Sequence, residues 1–165
     1  PQDAYTYWVK TKNTDVGSIR PTTPEPGKVT IYVLMQDGTL PGPEVLEAIQ
    51  EFLRDEEIRP MTDLVTVEAP AVKTFDLGLT YYIARSNQAQ ATAIQAQVDA
   101  AIQDFVTWQT TEIGRDINPS ELVRQIRAAG AKRVELTTPA FEKVADTEVA
   151  QLGEKALVYG GLEDD

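Results

Sequence analysis

The side chains that could carry acid–base or metal chemistry in this sequence are carboxylates, hydroxyls and amines, because it holds no histidine and no cysteine. Disulfides, thiolate metal sites, cysteine nucleophiles and histidine-based triads are excluded at once. A hydrolytic centre would then need two converging carboxylates, one protonated and one ionised, or several acids around a hard cation. Asp63, Asp116 and Glu148 stand at element boundaries, where such a pair could meet. Their spacing brings no two of them together, and acids at boundaries serve as caps and turn formers, which is the reading taken here. Glu163-Asp164-Asp165 places three acids in a row. Adjacent side chains of an extended stretch do not converge, so this triplet reads as a solvated acidic tail rather than a cation site.

A phosphate-binding function would need a glycine-rich loop between a strand and a helix. Asp37-Gly38-Thr39-Leu40-Pro41-Gly42 occupies that position. It lacks the Gly-Lys-Ser/Thr ending of a P-loop and the GxGxxG pattern, and Pro41 and Pro43 remove two backbone donors. A small-molecule or nucleotide-binding module using this loop is the alternative reading, and a carboxylate-based metal-dependent hydrolase a third. Gly160-Gly161 reads as a strand terminator.

The elements that would position such residues are legible in the apolar spacing. Hydrophobic residues make up 42% and charged residues 25% of the 165, which is ordinary globular usage. The net charge of −11, with fifteen basic residues scattered along the chain, disfavours nucleic acid and anionic membranes as partners. No stretch has the length and apolarity of a membrane span. The sequence opens at Pro1 without a signal segment and reads as a piece of something longer.

Pro21, Pro24, Pro26 and Gly27 make residues 1–28 an expected extended lead-in arm, docked by Tyr5, Tyr7 and Trp8. Val29, Ile31, Val33 and Met35 predict a strand. Gly42 as N-cap and Pro43 at the first helical position open an amphipathic helix through Val45, Leu46, Ile49, Phe52 and Leu53. Arg59-Pro60 ends it, and Leu64, Val65 and Val67 begin a strand parallel to the first. Arg59 and Asp63 are read as structural, holding this turn with Thr62. Phe75, Leu77, Leu79, Tyr81 and Ile83 alternate in a long strand. Gln88 to Glu112 reads as one helix with a seam of Ile94, Val98, Ala101, Phe105 and Trp108 that packs across a sheet. Asn118-Pro119-Ser120-Glu121 predicts a capping box, Gly130 a helix end, and Val134 with Leu136 and Ala156 to Tyr159 two further strands. The expected fold is α+β, in two small two-layer lobes. Residues 29–70 form a strand-helix-strand lobe, and 71–165 a strand-helix-helix-strand-strand lobe with the acidic tail.

Several strings resemble a known family in order. Asp3-Ala4-Tyr5-Thr6-Tyr7-Trp8 is similar to the segment that enters the C-terminal part of baseplate J-like proteins of phage tails, and Pro26 to Val33 resembles their first strand. Arg59-Pro60-Met61-Thr62-Asp63-Leu64-Val65-Thr66-Val67 resembles the family most tellingly. Gly114-Arg115-Asp116-Ile117 with Ser120 and Leu122, then Gly130, Arg133 to Leu136 and Pro139, follow its next block, and Glu148 to Gly153 its closing one. The resemblance implies a structural wedge subunit of a contractile-type tail baseplate, from a phage, prophage, tailocin or related injection system. It implies no catalytic residue, no metal and no cofactor. The implied partners are other wedge and tail subunits, with self-association open, and the implied place is the virion baseplate, assembled in the host bacterial cytoplasm.

Overall fold

The computed structural model of the chain describes residues 2–55 and 63–165. Two compact units emerge. One holds residues 1–72 together with Thr111–Arg115 and Ala145–Val149, and the other holds Lys73–Thr110, Asp116–Val144 and Ala150–Asp165. Both mix helices with a three-stranded sheet, so the fold is α+β as expected.

In the first unit, helix α1 (Gln2–Lys12) precedes strands β1 (Val16–Glu25) and β2 (Lys28–Met35), helix α2 (Pro43–Leu53) and strand β3 (Leu64–Glu68). The sheet order is β1-β2-β3. The β2–α2–β3 passage makes the expected parallel pair, with Val29 opposite Val65 and Ile31 opposite Val67. Val29, Ile31 and Val33 are buried together with Ile49 and Leu53 of α2, each fully buried aliphatic contributing about 1.5–3 kcal/mol. Gly42 caps α2 with Pro43 in its first turn, as the sequence predicts. Gln50 of the same helix accepts the Val67 N–H at 3.1 Å, so a helix side chain satisfies an amide of β3 that sheet pairing does not use.

The lead-in arm is a correction. Residues expected to be extended form α1 and β1, and the breakers have a different use. Pro26-Gly27 is a hairpin turn between paired Glu25 and Lys28, with Gly27 at φ 80°. Pro21 and Pro24 lie in β1, an edge strand, where a missing N–H interrupts no ladder. Tyr5 and Val9, one helical turn apart, are buried in the core, and Trp8 packs beside them on Phe52 at 6.3 Å.

Thr111–Arg115 belongs to this unit through β1. Ser18, a nearly inaccessible hydroxyl, accepts the Ile113 N–H at 3.1 Å, and Arg20 donates to the Ile113 carbonyl at 2.9 Å. Gly114 holds φ +79°, and a Cβ there would stand 3.2 Å from the Arg20 guanidinium. Ile113 packs with Leu34 and Val149 in a small cluster of its own.

The second unit takes most of β4 (Ala71–Ala84), then a 3₁₀ stretch (Arg85–Gln90), α3 (Ala91–Thr110), α4 (Pro119–Ala128), β5 (Arg133–Thr138) and most of β6 (Glu148–Glu163). β4 is the central strand, in the order β5-β4-β6. Phe75, Leu77, Leu79, Tyr81 and Ile83 are all buried, and α3 packs on them as the sequence reading expects. Its buried seam differs in detail: Ile94, Val98, Ile102, Phe105 and Gln109 point inward, so Ile102 and Gln109 replace Ala101 and Trp108. Arg85–Gln90 is 3₁₀ rather than the first turn of α3, with Asn87 at φ −101° and ψ 16° marking the kink. Asn118 caps α4 by accepting the Ser120 N–H at 3.1 Å, and Gly130 follows the helix at φ +121°.

The capping box is also corrected. Glu121 does not reach back, because the Asn118 N–H is already taken by Gln109 Oε1 at 3.0 Å. Its carboxylate instead accepts from Arg124 at 2.6 and 2.9 Å, which holds it below the usual carboxylate range. The last strand is far longer than Ala156–Tyr159. β6 runs through Gly160-Gly161 to Glu163, so those glycines do not end it.

Candidate functional site

Each boundary carboxylate has a structural partner. Asp63 accepts the Tyr5 hydroxyl at 2.7 Å, tying the start of β3 to α1. Asp116 accepts the Val144 N–H and Glu148 the Ala145 N–H, both at 2.9 Å. Of the three, Glu148 bonds locally, three residues back, as a turn-forming acid does, whereas the bonds of Asp63 and Asp116 span 58 and 28 residues and tie distant segments together. Among the described residues no group of three or more acids could hold a metal ion. Arg59 and Thr62 of the proposed turn lie outside the described residues. Because the Tyr5–Asp63 bond is partly buried, we expect Asp63→Ala and Tyr5→Phe each to cost about 1 kcal/mol in urea unfolding. Their double variant should cost little more than either single change. Additive losses would show that the two side chains act separately.

The Asp37–Gly42 loop borders an open depression of about 370 Å³ lined by Asp15, Met35, Gln36, Asp37 and Thr39. Two of its amides are committed to the turn. The Thr39 N–H and hydroxyl both donate to Asp37 Oδ1, at 3.0 and 2.6 Å, and the Gly38 N–H donates to the Met35 carbonyl. Those bonds hold the Asp37 carboxyl below its ordinary range, so a phosphate would meet two carboxylates and few spare donors.

Among the described residues, a dense charge cluster involves the three acids expected to form a solvated tail: Asp164 and Asp165 are exposed, as expected, but all three are bonded and Glu163 is half-buried. The Glu163 carboxylate accepts from Arg133 Nε at 2.8 Å and Nη2 at 2.8 Å, and from Lys132 Nζ at 3.1 Å. Lys132 also donates to the Asp164 backbone carbonyl at 2.6 Å. Arg85 meets the Asp164 carboxylate at 2.8 Å, and Asp165 accepts the Ser86 N–H at 3.1 Å. The Arg133 guanidinium lies 4.0 Å above the Tyr82 ring, and a Cβ at Gly160 would collide with that ring. Gly160 is thus needed for close approach, the opposite of a strand stop. No sequence signal joins Arg85, Lys132 and Arg133 to these acids, since the bonds span 30 to 79 residues.

Arg133, then Lys132, lowers the Glu163 pKa to about 2 from an ordinary 4.5. A depressed acid contributes stability above its unfolded pKa, and that contribution is lost as pH falls through the folded value. The melting-temperature difference between the parent and Glu163→Gln should therefore be constant above about pH 4.5, narrow below it, and vanish near pH 2. A difference that does not change across that range would show that Glu163 is not ion-paired.

A family model described as the baseplate J-like central domain matches residues 1–69. A second, the baseplate J-like protein C-terminal domain, matches residues 79–154. The chain belongs to the baseplate J-like family. Baseplate protein J of Escherichia phage P2 is 28% identical over 163 residues, which is 98% of this chain and 53% of that protein. The chain thus spans about half the length of the curated relative it matches. Among solved structures, the anti-feeding prophage baseplate holds a chain similar over 87% of this one and 35% of its own length, at a TM-score of 0.59 and 12% identity. That likeness shows a shared fold. The baseplate J-like strings around Asp116 and Gly130 lie at a turn and a helix end, and the string Glu148–Gly153 opens β6.

Proposed function

We propose that this baseplate J-like chain is a structural component of a tail baseplate in a phage or phage-derived contractile injection system. Within it the chain serves as the C-terminal assembly module of a wedge protein and carries out no catalysis. The observation that carries this reading is the succession of central and C-terminal family domains along one chain, in the order 1–69 then 79–154. The site geometry supports it, because the candidate carboxylates bond to backbone amides and a tyrosine rather than facing a common cleft. Other wedge and tail subunits are its partners, and its place is the virion baseplate after assembly in the host cytoplasm. Among the described residues no helix is long and apolar enough to cross a membrane.

Antibodies raised against the chain test the proposal on tail particles purified from the organism that encodes it. Gold label confined to the baseplate end of intact tails is the expected result. Label spread along the tube, or protein found wholly outside sedimenting particles, would overturn it.

A further inference from the structure

The end of β6 and the two residues after it, Glu163–Asp165, lie in a cradle built by Tyr82, Arg85, Ser86, Lys132 and Arg133. Three of the chain's fifteen basic residues gather here, although the chain carries a net charge of −11. The contacts read an extended acidic peptide by general features. A guanidinium forks onto one carboxylate, an ammonium takes a backbone carbonyl, and a backbone N–H takes another carboxylate. The Arg133 fork is braced from two sides, by the Tyr82 face and by Glu135 at 2.6 Å.

The outer contacts are shallow. Arg85 and Asp164 leave 57% and 90% of their side chains exposed, and exposed pairs of this kind hold weakly and exchange readily. A cradle that binds carboxylates by such contacts is not restricted to the segment that fills it. It also gives an acidic partner a landing point on a chain whose net charge otherwise repels it.

We propose that Tyr82, Arg85, Lys132 and Arg133 form a receptor for extended acidic peptide segments. The chain fills the receptor with its own Glu163–Asp165, and an acidic segment of a partner chain displaces them. The tethered segment competes at high effective concentration, so the receptor opens only to a partner held close by other contacts.

The test uses a fluorescent, end-capped peptide of the sequence Gly-Leu-Glu-Asp-Asp at low salt, titrated with the full chain. The variants are the parent, E163Q/D164N/D165N, and that triple variant carrying R133E or K132E. The triple variant should bind the peptide at least about ten-fold tighter than the parent, since the tethered competitor has lost its charge. R133E should return binding to the parent level and 0.5 M salt should weaken it. K132E, which leaves the Tyr82 stack in place, decides the matter if R133E does not fold. Equal binding by the parent and the triple variant, or binding that survives K132E, would overturn the proposal.

Discussion

Replacing Phe105 by alanine is expected to cost about 3–5 kcal/mol in urea unfolding, the usual loss when a large aromatic is removed from a closed core. Phe105 is fully buried at the middle of the α3 seam. Its ring meets Phe75 of β4 edge-on at 6.4 Å and Trp108 at 6.0 Å, so the same side chain joins helix to sheet and one turn of the helix to the next. Both ring contacts go with the side chain, and the space left lies within a cluster of closely packed buried side chains that cannot collapse fully into it. Phe105→Leu should lose less than half as much, because it refills most of the volume. The corresponding fall in melting temperature for Phe105→Ala is about ten degrees. A loss under about 1 kcal/mol would mean that α3 is not seated on β4 as described.

Gln109→Leu should cost about 2–4 kcal/mol although it makes the core more apolar. The Gln109 amide is completely buried, its Nε2 donating to the Asp116 carbonyl at 2.9 Å while its Oε1 accepts the Asn118 N–H at 3.0 Å. Leucine fills similar space but leaves a carbonyl and an N–H without their partner, each worth about 1–3 kcal/mol when desolvated. The loss should come mostly from the α3–α4 connection, and hydrogen exchange at Asn118 and Ser120 would show it before global unfolding does. Gln109→Glu supplies a control with a pH signature. It keeps an acceptor for Asn118, loses the donor to Asp116 and buries a charge at neutral pH. Its deficit should shrink as pH falls and the carboxyl gains a proton. If Gln109→Leu proves neutral, the amide is not holding this turn.

The sequence is legible where one physical signal decides the outcome. β4 alternates because one of its faces is buried, and Phe75 to Ile83 could not be read otherwise. α2 opens at Gly42-Pro43 because a proline at that point needs no donor and sets the angle. Signals with two uses were ambiguous. Pro21 and Pro24 look the same in a linker and in the edge strand β1, and only the pairing of Pro21 with Ile31 distinguishes them. On α3 the buried stripe turns on the choice between Ala101 and Ile102, one residue apart, and burying Gln109 makes sense only with Asp116 and Asn118 in view.

Charge pairing over distance was not legible at all. Glu163 and Arg133 stand 30 residues apart, Arg85 and Asp164 stand 79 apart, and nothing local distinguishes the acids from a solvated tail. The boundary acids divide between the two cases. For Glu148, position at an element boundary points to the local bond it makes with Ala145, while the distant donors of Asp63 and Asp116, Tyr5 and Val144, have no signal in the sequence.

The chain changes from one unit to the other five times, at 72/73, 110/111, 115/116, 144/145 and 149/150. During synthesis, strands β1 to β3 leave the ribosome before their partners: Ser18 and Arg20 wait for Ile113, and Leu34 waits for both Ile113 and Val149. The first half therefore cannot complete its packing while it is the only part made, and the usual order in which the N-terminal domain folds first is closed to it. The first unit finishes only after Val149 has emerged, so nascent chains that stop short of Val149 should expose Leu34 and remain clients of chaperones.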